Sequence, residues 1–137
     1  MNEFTEKVVN EMVSQTWREI DHVQKILSTK LSDEPEKLIG DLENIEAWNS
    51  RMGFLLADAN SWLERARAQS IPDKEGKTEF ERKILMEDAV TPIKRHRDVI
   101  ESICDSIKQR LILGESVLSY QKQFAERKQI NNKPWGG

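Results

Sequence analysis

Apolar residues recur along this chain at spacings of three and four and nowhere alternate with polar residues for long. That is the period of helices with one buried face, and it carries no strand or hairpin signal. Over residues 3–31 the apolar positions are Phe4, Val8, Met12, Val13, Trp17, Ile20, Val23, Ile26, Leu27 and Leu31, one face of a first helix. The run Ser32-Asp33-Glu34-Pro35-Glu36 ends it. Asp33 is placed to cap a second helix, Pro35 suits its first turn, and Glu36 stands three residues on, as a capping box needs.

The second predicted helix, 34–69, has the most regular pattern. Leu38, Leu42, Ile45, Asn49, Met52, Leu56, Ala59, Leu63 and Ala66 alternate at spacings of four and three, a heptad seam. Beside it Trp48, Leu55 and Trp62 recur every seven residues. A seam widened in this way predicts packing against two or more helices, in a bundle or an oligomer, rather than a two-stranded zipper. Leu42, Ile45, Asn49, Met52, Leu56 and Leu63 are therefore the expected oligomer seam. Asn49 has two readings: a buried polar residue that fixes register against an equivalent partner, or a site facing a thin, wet part of the bundle.

A loop is predicted over 70–77. Thr78 with Glu81 then repeats the capping-box spacing and opens a third helix. Pro92 interrupts it, so this helix either kinks or restarts with Thr91 as a new cap. The apolar period resumes through Ile93, Ile100, Ile103, Cys104, Ile107, Leu111, Gly114 and Leu118, and more weakly through Tyr120, Phe124 and Ala125. Glycine inside a helix costs about 1 kcal/mol relative to alanine. Gly114 lies on the apolar face, where a close helix crossing would explain it. The fold expected is all-α: an elongated bundle of three long helices, the third kinked or split near Pro92, with a single domain over 1–129 and a flexible tail over 130–137.

Composition sharpens this picture. The chain has 137 residues, enough for one domain with a core and too few for two domains and a linker. It is 37% hydrophobic and 33% charged, against roughly 45–50% and 25% in ordinary globular domains. Such a chain suits rods that bury one stripe each, and self-association is the expected way to cover what thin rods leave exposed. The net charge of −3 divides unevenly. Residues 1–76 hold nine Lys/Arg and fifteen Asp/Glu; residues 77–137 hold twelve and nine. An acidic half and a basic half suit helix pairing, and the basic half also suits nucleic acid, although the whole is too acidic to bind DNA through its overall field alone.

Chemistry-bearing motifs are few. His22 and His96 fall on different helices, outside any His-x-x-x-His or Glu-x-x-His arrangement, so no metal and no cofactor are expected. His22 reads as a surface or boundary residue. His96 stands in Lys94-Arg95-His96-Arg97 and reads as part of that basic cluster. There is no phosphate loop or nucleophile elbow, and the carboxylates follow helix-surface spacing, so an enzyme is not expected. The single cysteine, Cys104, lies among Ile100, Ile103 and Ile107 and reads as a small buried hydrophobe. No apolar run is long enough to span a bilayer and the start, Met1 to Glu6, is acidic, so the expected setting is soluble and cytoplasmic.

Two binding candidates remain. Lys94, Arg95 and Arg97, continued by Lys108 and Arg110, suit either phosphate or the carboxylates of a partner. Arg65 and Arg67 would join them if the second helix folds back antiparallel. The alternative is a charged face paired with its own neighbours, since Asp98, Glu101 and Asp105 lie within a turn or so. In the tail, Lys133 and Trp135 form a candidate docking point, because an exposed indole gains much area on burial; the alternative is that the indole packs back on its own bundle.

At Cys104-Asp105-Ser106-Ile107-Lys108-Gln109-Arg110 the chain resembles the recombination mediators of T4-type tailed phages, small helical proteins with an Ile-Lys-x-Arg stretch in a C-terminal helix. Arg51-Met52-Gly53-Phe54-Leu55-Leu56-Ala57-Asp58-Ala59 is similar to small phage-encoded helical proteins. The resemblance covers about a third of the chain. It implies an oligomer that binds single-stranded DNA, engages a recombinase, and contacts DNA through Lys108 and Arg110. The expected function is that of a non-enzymatic, oligomeric adaptor or assembly protein, recombination-mediator-like in its sharpest form. The alternative is a purely protein-binding module, such as a phage inhibitor of a host protein or a virion component.

Overall fold

The computed structural model describes residues 3–72 and 76–131, with side chains to 128. Three helices account for nearly all of them: α1 (Glu3–Ser28), α2 (Pro35–Gln69) and α3 (Glu79–Asn131). At 1.5 Å per residue they are about 39, 52 and 80 Å long. Glu19 pairs with Arg51, so α1 and α2 run antiparallel. Arg67 pairs with Glu87, and Leu42 lies against Gly114 far along α3, so α2 and α3 are also antiparallel. The result is an up-down-up bundle in which α3 outruns both neighbours. Among the described residues, its last hydrogen bond to the body is from Gln121 Nε2, which donates to the Asp33 carbonyl (2.8 Å). Residues 122–128 beyond it are exposed.

The core lies on α2. Leu38, Leu42, Ile45, Met52, Leu55, Ala59, Leu63 and Ala66 are all buried, and those from Ile45 onward cluster with Val8, Met12 and Val23 of α1 and Val90, Ile93, Ile100 and Ile107 of α3. The heptad seam is therefore closed inside one copy, which corrects the expectation that it joins copies. Of the expected seam residues only Asn49 and Leu56 keep partial exposure, at the edge of the buried face. The physical reason is that α3 folds back along the full length of α2, and a seam cannot tell a helix of its own chain from one of another. Even so, the chain exposes 9933 Å², against about 7,400 Å² for a compact protein of its mass.

Boundaries follow local hydrogen bonding. α1 stops at Ser28 rather than near Leu31. Ser28 Oγ and Thr29 Oγ1 donate back to the Gln24 and Lys25 carbonyls, so side chains compete with the backbone in the last turn. The N-cap of α2 is Glu34, in extended backbone and without a side-chain cap bond, with Pro35 at the first position. Asp33, the expected cap, instead pairs loosely with Lys30 and offers its carbonyl to Gln121. Asp41 Oδ2 accepts from the Ser32 amide and ties the loop to α2. Thr78 caps α3 as the sequence predicts: its Oγ1 accepts from the Glu81 amide (3.1 Å).

Pro92 does not split α3. The helix runs through it, and Thr91, the expected new cap, turns its Oγ1 back to the Glu87 carbonyl (2.9 Å). Val90 and Ile93, on either side of the proline's neighbourhood, are fully buried. Their packing offsets the roughly 3 kcal/mol that an interior proline costs a helix.

Candidate interaction surfaces

The basic residues of α3 divide into two groups. Lys94, Arg95 and Lys108 are exposed. Arg97 is neutralised along its own helix by Asp98 (3.0 Å) and Glu101 (3.5 Å). Arg110 turns inward: its Nη2 donates to the carbonyl of Leu27 (2.6 Å) and to that of Thr29. These carbonyls sit at the end of α1, where backbone acceptors lack partners and the helix dipole is negative, so Arg110 is an α1 cap lent by another helix. Lys94, Arg95, Arg97, Lys108 and Arg110 therefore do not form one cationic face. α2 does fold back antiparallel, but Arg67 is held by Glu64 and Glu87, and the Arg65 guanidinium lies over the Trp62 ring at 5.2 Å.

His96 is not part of the basic surface either. It faces α1, half-buried, with Nε2 2.9 Å from Thr16 Oγ1. Thr16 gives its own hydrogen to the Met12 carbonyl, so it accepts from His96, which fixes the neutral tautomer with hydrogen on Nε2. Burial lowers the His96 pKa below its ordinary value. His22 is exposed, its ring 5.1 Å from that of Trp48. Cys104 is buried among α3's isoleucines, and burial pushes its thiol pKa up, with Lys108 a smaller opposing influence. Among the described residues, no group of three or more His, Cys, Asp or Glu is placed to hold a metal ion. Nor is any described helix long and apolar enough to cross a membrane. Lys133 and Trp135 lie outside the described residues.

The surface that the sequence did not single out is the outer side of α3. Leu113, Tyr120 and Phe124 are 53%, 69% and 60% exposed, with half-buried Val117 between them. At 100° per residue these four fall in a sector of about 60°, roughly 90° round the helix from Ile107, Gly114 and Gln121, which face the body. Their spacing of four, three and four was visible, but it reads equally well as a continuation of the core. α1 adds Val13 and Trp17, 42% and 51% exposed although expected on the buried face; the Arg18 guanidinium covers Trp17 from 5.5 Å. Between α1 and α3 an open groove is lined by Gln24, Arg95, Val99 and Ser102, and farther along by Leu27, Ser106, Gln109 and Leu113.

The chain matches no protein-family model, no curated protein and no solved structure.

Proposed function

We propose that this protein is a non-enzymatic helical assembly module, in which the bundle holds α3 rigid and the outer face of α3 docks a protein partner. One observation carries this reading: Leu113, Tyr120 and Phe124 stand exposed in register on a helix whose end projects beyond its own bundle. An apolar and aromatic stripe of this kind is what helix-in-groove recognition uses. Aromatic residues are also the side chains that most often dominate binding energy.

The recombination-mediator form of this reading, with single-stranded DNA as a ligand, has less support. Of the two residues the resemblance carries over, Lys108 is exposed but Arg110 is engaged at the end of α1. The exposed Lys94 and Lys108 share their side of α3 with Glu101 and Asp105.

The test pairs a titration and a capture experiment, both on the full chain. Purified protein is titrated with a labelled single-stranded oligonucleotide at low salt. Separately, wild type and the Leu113→Asp/Tyr120→Asp variant are immobilised to retain protein from the cells that make the chain. The expected result is no saturable DNA binding, and a stoichiometric protein, whether a second copy or another chain, retained by wild type and lost by the variant. Tight DNA binding that weakens steeply with salt, or retention unchanged in the variant, would overturn the reading.

A further inference from the structure

The outer face of α3 is longer than its apolar part. Asp88, Thr91, Arg95, Val99, Ser102, Ser106 and Gln109 continue the line of Leu113, Val117, Tyr120, Phe124 and Arg127. All lie within about 40° of one direction at 100° per residue. Thr91 and Val117 are half-buried and the rest exposed, so a face about 58 Å long has no partner in the described structure.

This face is complementary to itself when reversed. Charge sets the register. On the face itself the start of α3 carries Asp88, and the projecting end carries Arg127 with Lys128 at its edge. An antiparallel pair of α3 helices sets the basic end of each on the acidic start of the other. With Arg127 opposite Asp88, ten of the twelve face positions meet another face position; Val117 and Val99 meet Asp98 and Ser116 at its edge. Ser106 comes opposite Gln109, Leu113 opposite Ser102, Tyr120 opposite Arg95 and Phe124 opposite Thr91.

The chemistry of those pairings is favourable. The small Ser102 and Ser106 lie near the two-fold axis, where the bodies must approach most closely. The Arg95 guanidinium meets the Tyr120 ring, a cation–π arrangement. Phe124 arrives within a turn of Val13 and Tyr120 within a turn of Trp17, because Thr16 of α1 is bonded to His96. Val13 and Trp17 share the side of α1 that bears Gln24, on the border of the groove. A buried aromatic side chain covers about 150–250 Å², so at their present exposure Trp17, Tyr120 and Phe124 offer roughly 350 Å² per copy, a large share of the ~800 Å² per partner in a standard interface.

We infer that the occupant of this face is a second copy of the chain, paired antiparallel along α3 about a two-fold axis between Ser106 and Gln109. This rests on the docking reading above and names its partner.

Sedimentation equilibrium of the full chain tests it, together with cysteine cross-linking. Wild type is expected to form a dimer of twice 15.9 kDa. Tyr120→Lys, which sets two cations face to face, is expected to raise the dissociation constant about tenfold or more, and Arg95→Glu/Tyr120→Lys to restore it to within about threefold. Arg95→Cys and Tyr120→Cys proteins, with buried Cys104 left in place, are expected to cross-link when mixed and not when alone. A monomer at every concentration, a dimer indifferent to Tyr120→Lys, or self-cross-linking of either variant alone as strong as in the mixture would each overturn the antiparallel pairing. Loss of a different protein partner by the stripe variant, with the chain itself monomeric, would overturn this inference and leave the docking reading standing.

Discussion

Gly114 of α3 lies directly against Leu42 of α2: a methyl group on Gly114 would come within 3.2 Å of Leu42 Cγ and closer still to Cδ2. Leu42 is buried and close to the end of the bundle that α3 outruns. The contact fixes where the two helices cross, and it explains a glycine in the middle of a 53-residue helix. Gly114→Ala gains about 1 kcal/mol of helix propensity. It also overpacks the crossing, which costs about 1–3 kcal/mol. Net destabilisation is expected in urea unfolding. The Leu42→Ala/Gly114→Ala double variant should be less destabilised than the two single changes summed, since the cavity left by one accepts the methyl of the other.

Arg110 is expected to matter for stability rather than for nucleic acid. Its removal leaves the last carbonyls of α1 without their donor, at a cost of about 1–3 kcal/mol. Arg110→Lys keeps the charge near the α1 terminus but loses the planar guanidinium whose Nη2 reaches both carbonyls, and should fall between. Thermal unfolding of the three proteins checks this ordering. If Arg110→Ala unfolded at the wild-type temperature, the capping role would be wrong.

Much of this architecture could be read from the pattern of residues, and the failures share a cause. The α2 seam, the Thr78 cap and the crossing at Gly114 are all written in local spacing. Arg110 reads in the sequence as a contact for phosphate or for a partner's carboxylates, because its actual partners are backbone carbonyls at the end of another helix, which leave no mark in the sequence. The seam residues Ile45, Met52 and Leu63 read as an oligomer seam because three-and-four spacing is the same whichever chain supplies the neighbour. Trp17 and Phe124 read as part of the apolar faces for the related reason that periodicity identifies an apolar face but not whether anything covers it.

Stability should depend on pH through His96. Its pKa in the folded protein is lowered by burial, and its Nε2 hydrogen is committed to Thr16. The unfolded chain therefore takes up a proton near the ordinary histidine pKa of about 6.5 while the folded one resists. Above that value His96 makes no difference; as pH falls below it, stability is lost. His96→Gln, which retains a donor toward Thr16, should flatten the urea midpoint between about pH 7.5 and 5 relative to wild type. An identical slope in both proteins would remove His96 as the cause.

Pro92 is a cost that the packing of α3 absorbs. Pro92→Ala restores a backbone donor for the preceding turn and removes a ring from the helix interior. Stabilisation of about 1–3 kcal/mol is expected, with unchanged helix content by circular dichroism. A loss of stability would mean that the ring itself packs in a way alanine cannot replace.

Amide hydrogen exchange along α3, followed from dilute to concentrated protein, tests most directly whether its outer face is a docking surface. In dilute protein, amides around residues 100–110 should be protected by the core, and those of 113–128 should exchange faster because much of that stretch stands outside the bundle. On concentration, protection should appear at 113–128 and at the facing turns near Arg95 and Trp17, while the buried seam of α2 stays unchanged. Protection confined to the α2 seam, or an arm that exchanges equally fast at every concentration and with every captured protein, would contradict it.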